Sequence, residues 1–99
     1  MSVVFVSHAF SSDPISYGRR VAEIARELSS TGHLPLAPQI YLPRFLNEET
    51  ERDLALRLCL ELVGLADEVW VYGEPTDGMR LEIAEAERLG IPVVRKEMP

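Results

Sequence analysis

Between Asp67 and Glu82 the chain reads Asp-Glu-Val-Trp-Val-Tyr-Gly-Glu-Pro-Thr-Asp-Gly-Met-Arg-Leu-Glu. That order describes a short buried strand, a Gly/Pro turn and the start of a helix opening on Gly78. Glu82 then falls at the end of the first helical turn. Backbone N–H groups there have no intrahelical partner, and the helix dipole is positive. An acid so placed is expected to stay ionised, which suits a nucleophile or an acceptor for a sugar hydroxyl better than a proton donor. The plainer expectation is an acid that decorates a helix start, where acids are common.

Two further stretches bring polar groups to strand ends. Ser7, His8, Ser11 and Ser12 follow a first apolar run, and Tyr41 and Arg44 lie in a Pro- and aromatic-rich loop from Pro38 to Leu46. With Thr76, Asp77, Gly78, Met79 and Glu82 they make a set of hydroxyls, carboxylates and a helix N-terminus that suits a ribose with a phosphate or base nearby. There is no Walker A pattern and no G-x-G-x-x-G after the first strand, so neither a nucleoside triphosphate site of that kind nor a dinucleotide site is supported. His8 and His33 lack Cys or His partners at metal-ligand spacing, and no metal or cofactor is expected. His33 reads as a turn residue.

The elements that position these groups follow from periodicity. Val3 to Ser7 is a β-rich apolar run. Asp13-Pro14 is a helix start, with Asp as N-cap and Pro at the first helical position. Tyr17, Val21, Ile24, Ala25 and Leu28 then recur at helical spacing until Gly32. His33 to Ala37 is a second strand, and Pro35 argues for the sheet edge. A second helix begins at Asn47, carries the stripe Leu54, Ala55, Leu58, Cys59 and Leu62, and closes at Gly64. Glu68 to Tyr72 is a third strand, about Gly78 to Leu89 a third helix, and Ile91 to Val94 a last strand. Alternation of this kind predicts an α/β, Rossmann-like three-layer sandwich: a four-stranded parallel sheet of order 2-1-3-4 with three helices. Ligands of such folds bind at the carboxyl ends of the strands.

The chain has 99 residues, 10 basic and 16 acidic side chains, and a net charge of −6. One domain spanning residues 1–99 is expected. The acidic surface disfavours nucleic acid and anionic membranes as partners. No apolar run approaches the roughly 20 residues of a membrane span. The opening Met-Ser-Val-Val-Phe lacks the basic segment of a signal peptide. Cys59, the single cysteine, falls among leucines and reads as core, which fits a cytoplasmic setting. Trp70, Tyr41, Phe45 and the leucines of the second helix exceed what one small sheet face can hide, so a homo-oligomer is expected.

Taken together, Val3-Val4-Phe5-Val6-Ser7, Gly32-His33-Leu34-Pro35-Leu36-Ala37-Pro38, Asp67-Glu-Val-Trp-Val-Tyr-Gly and Gly78-Met-Arg-Leu-Glu82 with Gly90-Ile-Pro92-Val resemble the nucleoside 2-deoxyribosyltransferase-like superfamily over nearly the whole chain. The likeness is to its short bacterial and phage members. The resemblance implies that Glu82, four residues after Gly78, is the nucleophile that attacks the anomeric carbon and releases the base. It implies that Thr76 contacts a phosphate or sugar and that Asp67 lies near the base. Asp67 or Asp77 would protonate the leaving base. Phe5 stands where such enzymes usually carry a tyrosine whose hydroxyl orients the carboxylate. The implied pocket gathers Glu82, Thr76, Asp77, Gly78 and Met79 with Phe5, Ser7, His8 and Tyr41. Three readings follow: an N-glycosidic bond hydrolase or transferase acting on a nucleoside or nucleotide, a non-catalytic binder of a nucleotide or ADP-ribose derivative acting as sensor or sponge, and a structural partner with a vestigial site.

Overall fold

A computed structural model describes residues 1–9 and 14–98. Its elements, in chain order, are β1 (Ser2–His8), α1 (Pro14–Ser30), β2 (His33–Leu36), α2 (Pro38–Tyr41), α3 (Arg52–Val63), β3 (Glu68–Tyr72), α4 (Asp77–Leu89) and β4 (Val93–Lys96), with a 3-10 turn at Leu42–Arg44. The four strands form one parallel sheet of order β2-β1-β3-β4, as the alternation predicts. Pro35 sits on the edge strand β2, where its missing N–H costs no ladder bond with a further strand.

The sheet carries a core cluster on each face because β1 and β3 project apolar groups both ways. Phe5, Val69 and Val71 join Cys59 and Val63 of α3 and Met79 and Ala86 of α4 in one core cluster. Val4 and Val6 face Val21, Ile24 and Leu28 of α1 in a second cluster, with Tyr72. Right-handed crossovers explain the split: the chain moves one way from β1 to β2 and the other way through β3 to β4, so α1 covers one face and α3 and α4 the other.

Local signals account for most element ends. Thr31 N–H donates to Glu27 O, and Gly32, at φ 88°, turns the chain out of α1. Thr76 caps α4 by accepting from Met79 N–H at 3.3 Å, while the Met79 thioether accepts from Thr76 N–H at 3.5 Å. Gly90, at φ 74°, closes that helix, and Ile91 N–H returns to Ala86 O at 2.8 Å.

Several boundaries differ from the sequence expectation, β1 (Ser2–His8), the end of β2 at Leu36 and the start of α4 at Asp77 by one residue each. The Pro38–Leu46 loop contains the extra helix α2 and the 3-10 turn, each with a proline near its start. The second long helix begins at Arg52. Asn47 caps a separate turn before it, its side-chain oxygen accepting from the N–H groups of Glu49 and Thr50. The last strand is Val93–Lys96, because Ile91 N–H is committed to the end of α4 and Pro92 has no N–H. His33 opens β2 and is no turn residue. Asp13, read as the N-cap of α1, lies outside the described residues.

Candidate functional site

Strand pleating decides which side chains meet. Residues of one strand alternate between faces, so Phe5 and Ser7 share the α3/α4 side of β1, while Val4, Val6 and His8 share the α1 side. Phe5 is fully buried in the core beneath the carboxyl end of the sheet. Ser7, two residues on and also fully buried, points its hydroxyl at α4. Its Oγ donates to Glu82 Oε1 at 2.7 Å. A hydroxyl that orients the carboxylate is therefore present, supplied by Ser7 where Phe5 has none.

Glu82 is only 5% exposed. It does not sit at the positive end of the helix as expected. The helix begins at Asp77 and Thr76 is its cap, so Glu82 lies in the second turn, past the free N–H groups. Burial pushes its pKa up to about 7, and the Ser7 hydrogen bond pulls the other way without cancelling that. The expectation of a firmly ionised acid is thus corrected: desolvation of the charged form outweighs one hydroxyl donor. Near neutral pH the carboxyl exists in both forms.

Thr76 and Met79 are joined to each other in the helix cap, and Met79 runs down into the same core cluster as Phe5. A Cβ built on Gly78 would meet no atom within 4 Å, so the space beside this turn is open. Asp77 is fully exposed and pairs with Arg80 at 3.0 Å on the helix surface. Ser7, Glu82, Met79 and Phe5 are therefore brought together, with Thr76 and Gly78 beside them.

Three expected members stand apart. Asp67 precedes β3 and lies at the amino end of the strands. Its carboxylate accepts from Val3 N–H at 2.7 Å, and its own N–H donates to Val3 O at 2.7 Å, closing a clasp at the edge opposite Glu82. Tyr41 stacks on Phe45 at 6.5 Å and lines an apolar hollow of about 420 Å³ with Leu58, Leu62 and Leu65. His8 is on the α1 face, 3% exposed. Ser11 and Ser12 lie outside the described residues.

His8 Nδ1 lies 2.8 Å from Ala9 O, and a carbonyl can only accept, so Nδ1 carries the proton. Burial lowers the imidazole pKa, and the Arg20 charge adds to this against the Ala9 contact. The ring is neutral, and Nε2 is a buried acceptor with no partner among the described residues. Gln39 is the residue that sequence reading passed over. Strand β2 ends at Leu36, which leaves carbonyls of β1 beyond the ladder. The Gln39 amide takes that place, its Nε2 donating to Val6 O and His8 O, each at 3.2 Å. Its Oε1 is buried and likewise has no partner among the described residues. The available signal was a polar side chain one residue past Pro38, at the carboxyl end of a strand.

Among the described residues no His, Cys, Asp and Glu side chains gather closely enough to hold a metal ion. Nor is any helix among them long and apolar enough to cross a membrane. Cys59 is buried near Glu82, and burial pushes its thiol up to about 12, which makes it a packing group and no nucleophile.

A family model described as a domain of unknown function, DUF7768, matches residues 2–96. No curated protein matches the sequence. Among solved structures, the 2-deoxyribosyltransferase of the psychrotolerant bacterium Bacillus psychrosaccharolyticus superposes with a TM-score of 0.73 at 19% identity, over 97% of this chain and 72% of that one. A conserved protein from Enterococcus faecalis V583 superposes with a TM-score of 0.68 at 24% identity, over 96% of this chain and 62% of that one. At such identities the likeness establishes a shared fold.

Proposed function

The chain belongs to the DUF7768 family, and we propose that it acts on the N-glycosidic bond of a nucleoside or nucleotide, as a hydrolase or transferase with Glu82 as nucleophile. One observation carries this reading: a buried carboxylate at the carboxyl end of a parallel sheet, held by the Ser7 hydroxyl at 2.7 Å. A desolvated carboxylate is more basic than a solvated one and, once ionised, a stronger nucleophile. The fold shared with a 2-deoxyribosyltransferase supports the substrate class.

In the proposed reaction a Glu82 oxygen bonds to the anomeric carbon as the carbon–nitrogen bond breaks. The electron pair leaves with the base, which takes a proton from Asp77 or from solvent. Water or a second base then attacks the same carbon and frees the carboxylate, as in a retaining glycosidase. Asp67, at the other edge of the sheet, has no part in these steps.

A non-catalytic binder of a nucleotide or ADP-ribose derivative is the second reading. It is favoured by the same burial, because a carboxyl that is partly protonated near neutral pH can donate to a ligand as well as accept. Incubation with nucleosides, nucleoside monophosphates and NAD-derived compounds, followed by chromatography, separates the two. Base release supports the enzyme, and stoichiometric retention without conversion supports the binder. Neither outcome across the panel would remove both.

A further inference from the structure

The α1 side of β3 and β4 is only partly covered. Helix α1 packs on β1 and β2, and the other long helices lie on the opposite face. Trp70 and Tyr72 of β3 project to this side, and their register partners Val94 and Lys96 of β4 do so as well. Between this strip and α1 lies a hollow of about 460 Å³, lined among others by Trp70, Tyr72, His33, Glu27, Glu97 and Lys96. Its size falls within the range of small-molecule sites.

Trp70 is fixed as a platform. Its indole N–H donates to Glu68 Oε1 at 3.1 Å, and the His33 ring meets it edge-on with centroids 5.1 Å apart. Lys96 Nζ lies 4.3 Å from the ring centroid, so the ring face already carries a cation. Glu27 and Glu97 line the hollow, and neither forms an ion pair among the described residues. Two carboxylates against one ammonium leave the lining net negative. The His33 Nδ1 atom is buried without a partner among the described residues.

We propose that this hollow is a second ligand site, separate from Glu82, which takes a small organic cation with an apolar body, seated on Trp70 in place of the Lys96 ammonium. The ring quadrupole attracts a cation over its face, most strongly where water is excluded, and an alkylated ammonium or a guanidinium loses less hydration than a lysine does. Glu27 and Glu97 add charge complementarity that a neutral ligand of equal shape would not use.

Trp70 is the sole tryptophan, so its fluorescence reports the site directly. The probe is choline, and its neutral isostere 3,3-dimethylbutan-1-ol is the control. Choline is expected to give a saturable change that the alcohol does not. Lys96→Met, at an exposed edge-strand position, vacates the ring and should tighten choline binding by roughly three- to tenfold. Glu27→Gln with Glu97→Gln should weaken it by a similar factor, with circular dichroism unchanged. The site is overturned if choline and the alcohol behave alike. It is overturned equally if neither wild type nor Lys96→Met saturates by about 100 mM, which already corresponds to very weak binding. Binding that is indifferent to all three substitutions would place the probe elsewhere and also overturn it.

Discussion

Ser7 on the central strand and Glu82 in the second turn of α4 are 75 residues apart and share a hydrogen bond of 2.7 Å, both side chains buried. The pair ties the sheet to the helix that covers it, and it opposes the larger effect of burial on the ionisation of the only buried carboxyl among the described residues. Removing the donor by Ser7→Ala should raise the Glu82 pKa further above 7 and destabilise the ionised protein by about 1.5–3 kcal/mol, the worth of a hydrogen bond to a charged group. Carboxyl-carbon NMR titration reads the first effect and urea denaturation at pH 8 the second. An unmoved pKa would mean that the two groups do not interact in solution.

The elevated pKa of Glu82 makes stability depend on pH with a definite sign. A free glutamate in the unfolded chain titrates near 4.5, and Glu82 in the folded protein near 7. Between these values the folded state binds more protons than the unfolded one, so stability falls as pH rises through the window, by about 3 kcal/mol in total. Below the window both states are protonated and the loss is absent. Glu82→Gln should flatten this segment of the stability–pH curve, which chemical denaturation at a series of pH values measures.

If the chain releases base from a nucleoside, turnover should rise with pH through about 7, because the nucleophile is the ionised form. Glu82→Gln should abolish release and keep ligand binding, since the amide preserves shape but attacks poorly. Glu82→Ala should also weaken binding, by about 1.5–3 kcal/mol where the carboxylate accepts a sugar hydroxyl. Chromatographic rates and calorimetry on the same variants separate the two effects. Wild-type turnover that is flat from pH 5 to pH 8 would remove the nucleophile role.

Self-association is a separate expectation. Tyr41, Phe45 and Leu65 are 39%, 62% and 70% exposed and line one apolar hollow beside α3. Covering such a patch with a second copy buries apolar area that a monomer leaves in water. Light scattering should show an oligomer at micromolar concentration, and Phe45→Lys with Leu65→Lys should give a monomer with unchanged circular dichroism. A monomeric wild type would contradict the proposal.

Strand order and both core faces were legible in the sequence, because period-2 and period-3.6 apolar patterns alternate cleanly along it. The shared face of Phe5 and Ser7 follows from strand period alone. The Ser7–Glu82 bond did not, although both residues were expected in one pocket: counted from Gly78 Glu82 is the fifth helical residue, and with Thr76 as cap it is the sixth, past the free N–H groups. The acid is buried because Glu82 shares the inward face of α4 with Met79 and Ala86, and the depth of that burial is what the sequence did not show. Gln39 was missed because its role depends on how early β2 ends, which a hydrophobic run through Ala37 conceals. Asp67 was drawn to the site by resemblance, although its place before a strand already puts it at the amino edge.

Strand β1 is first in the chain and second in the sheet, with β2 on one side and β3 on the other. A ribosome therefore delivers the middle of the sheet before either neighbour. β2 can pair once residue 36 has emerged, but the other edge of β1, with its clasp from Val3 to Asp67, stays open until β3 follows. Ser7 finds its carboxylate partner later still. A nascent chain halted near residue 67 would thus present an unpaired apolar edge and no Ser7–Glu82 bond. Such an edge is open to pairing with another chain until β3 emerges to cover it.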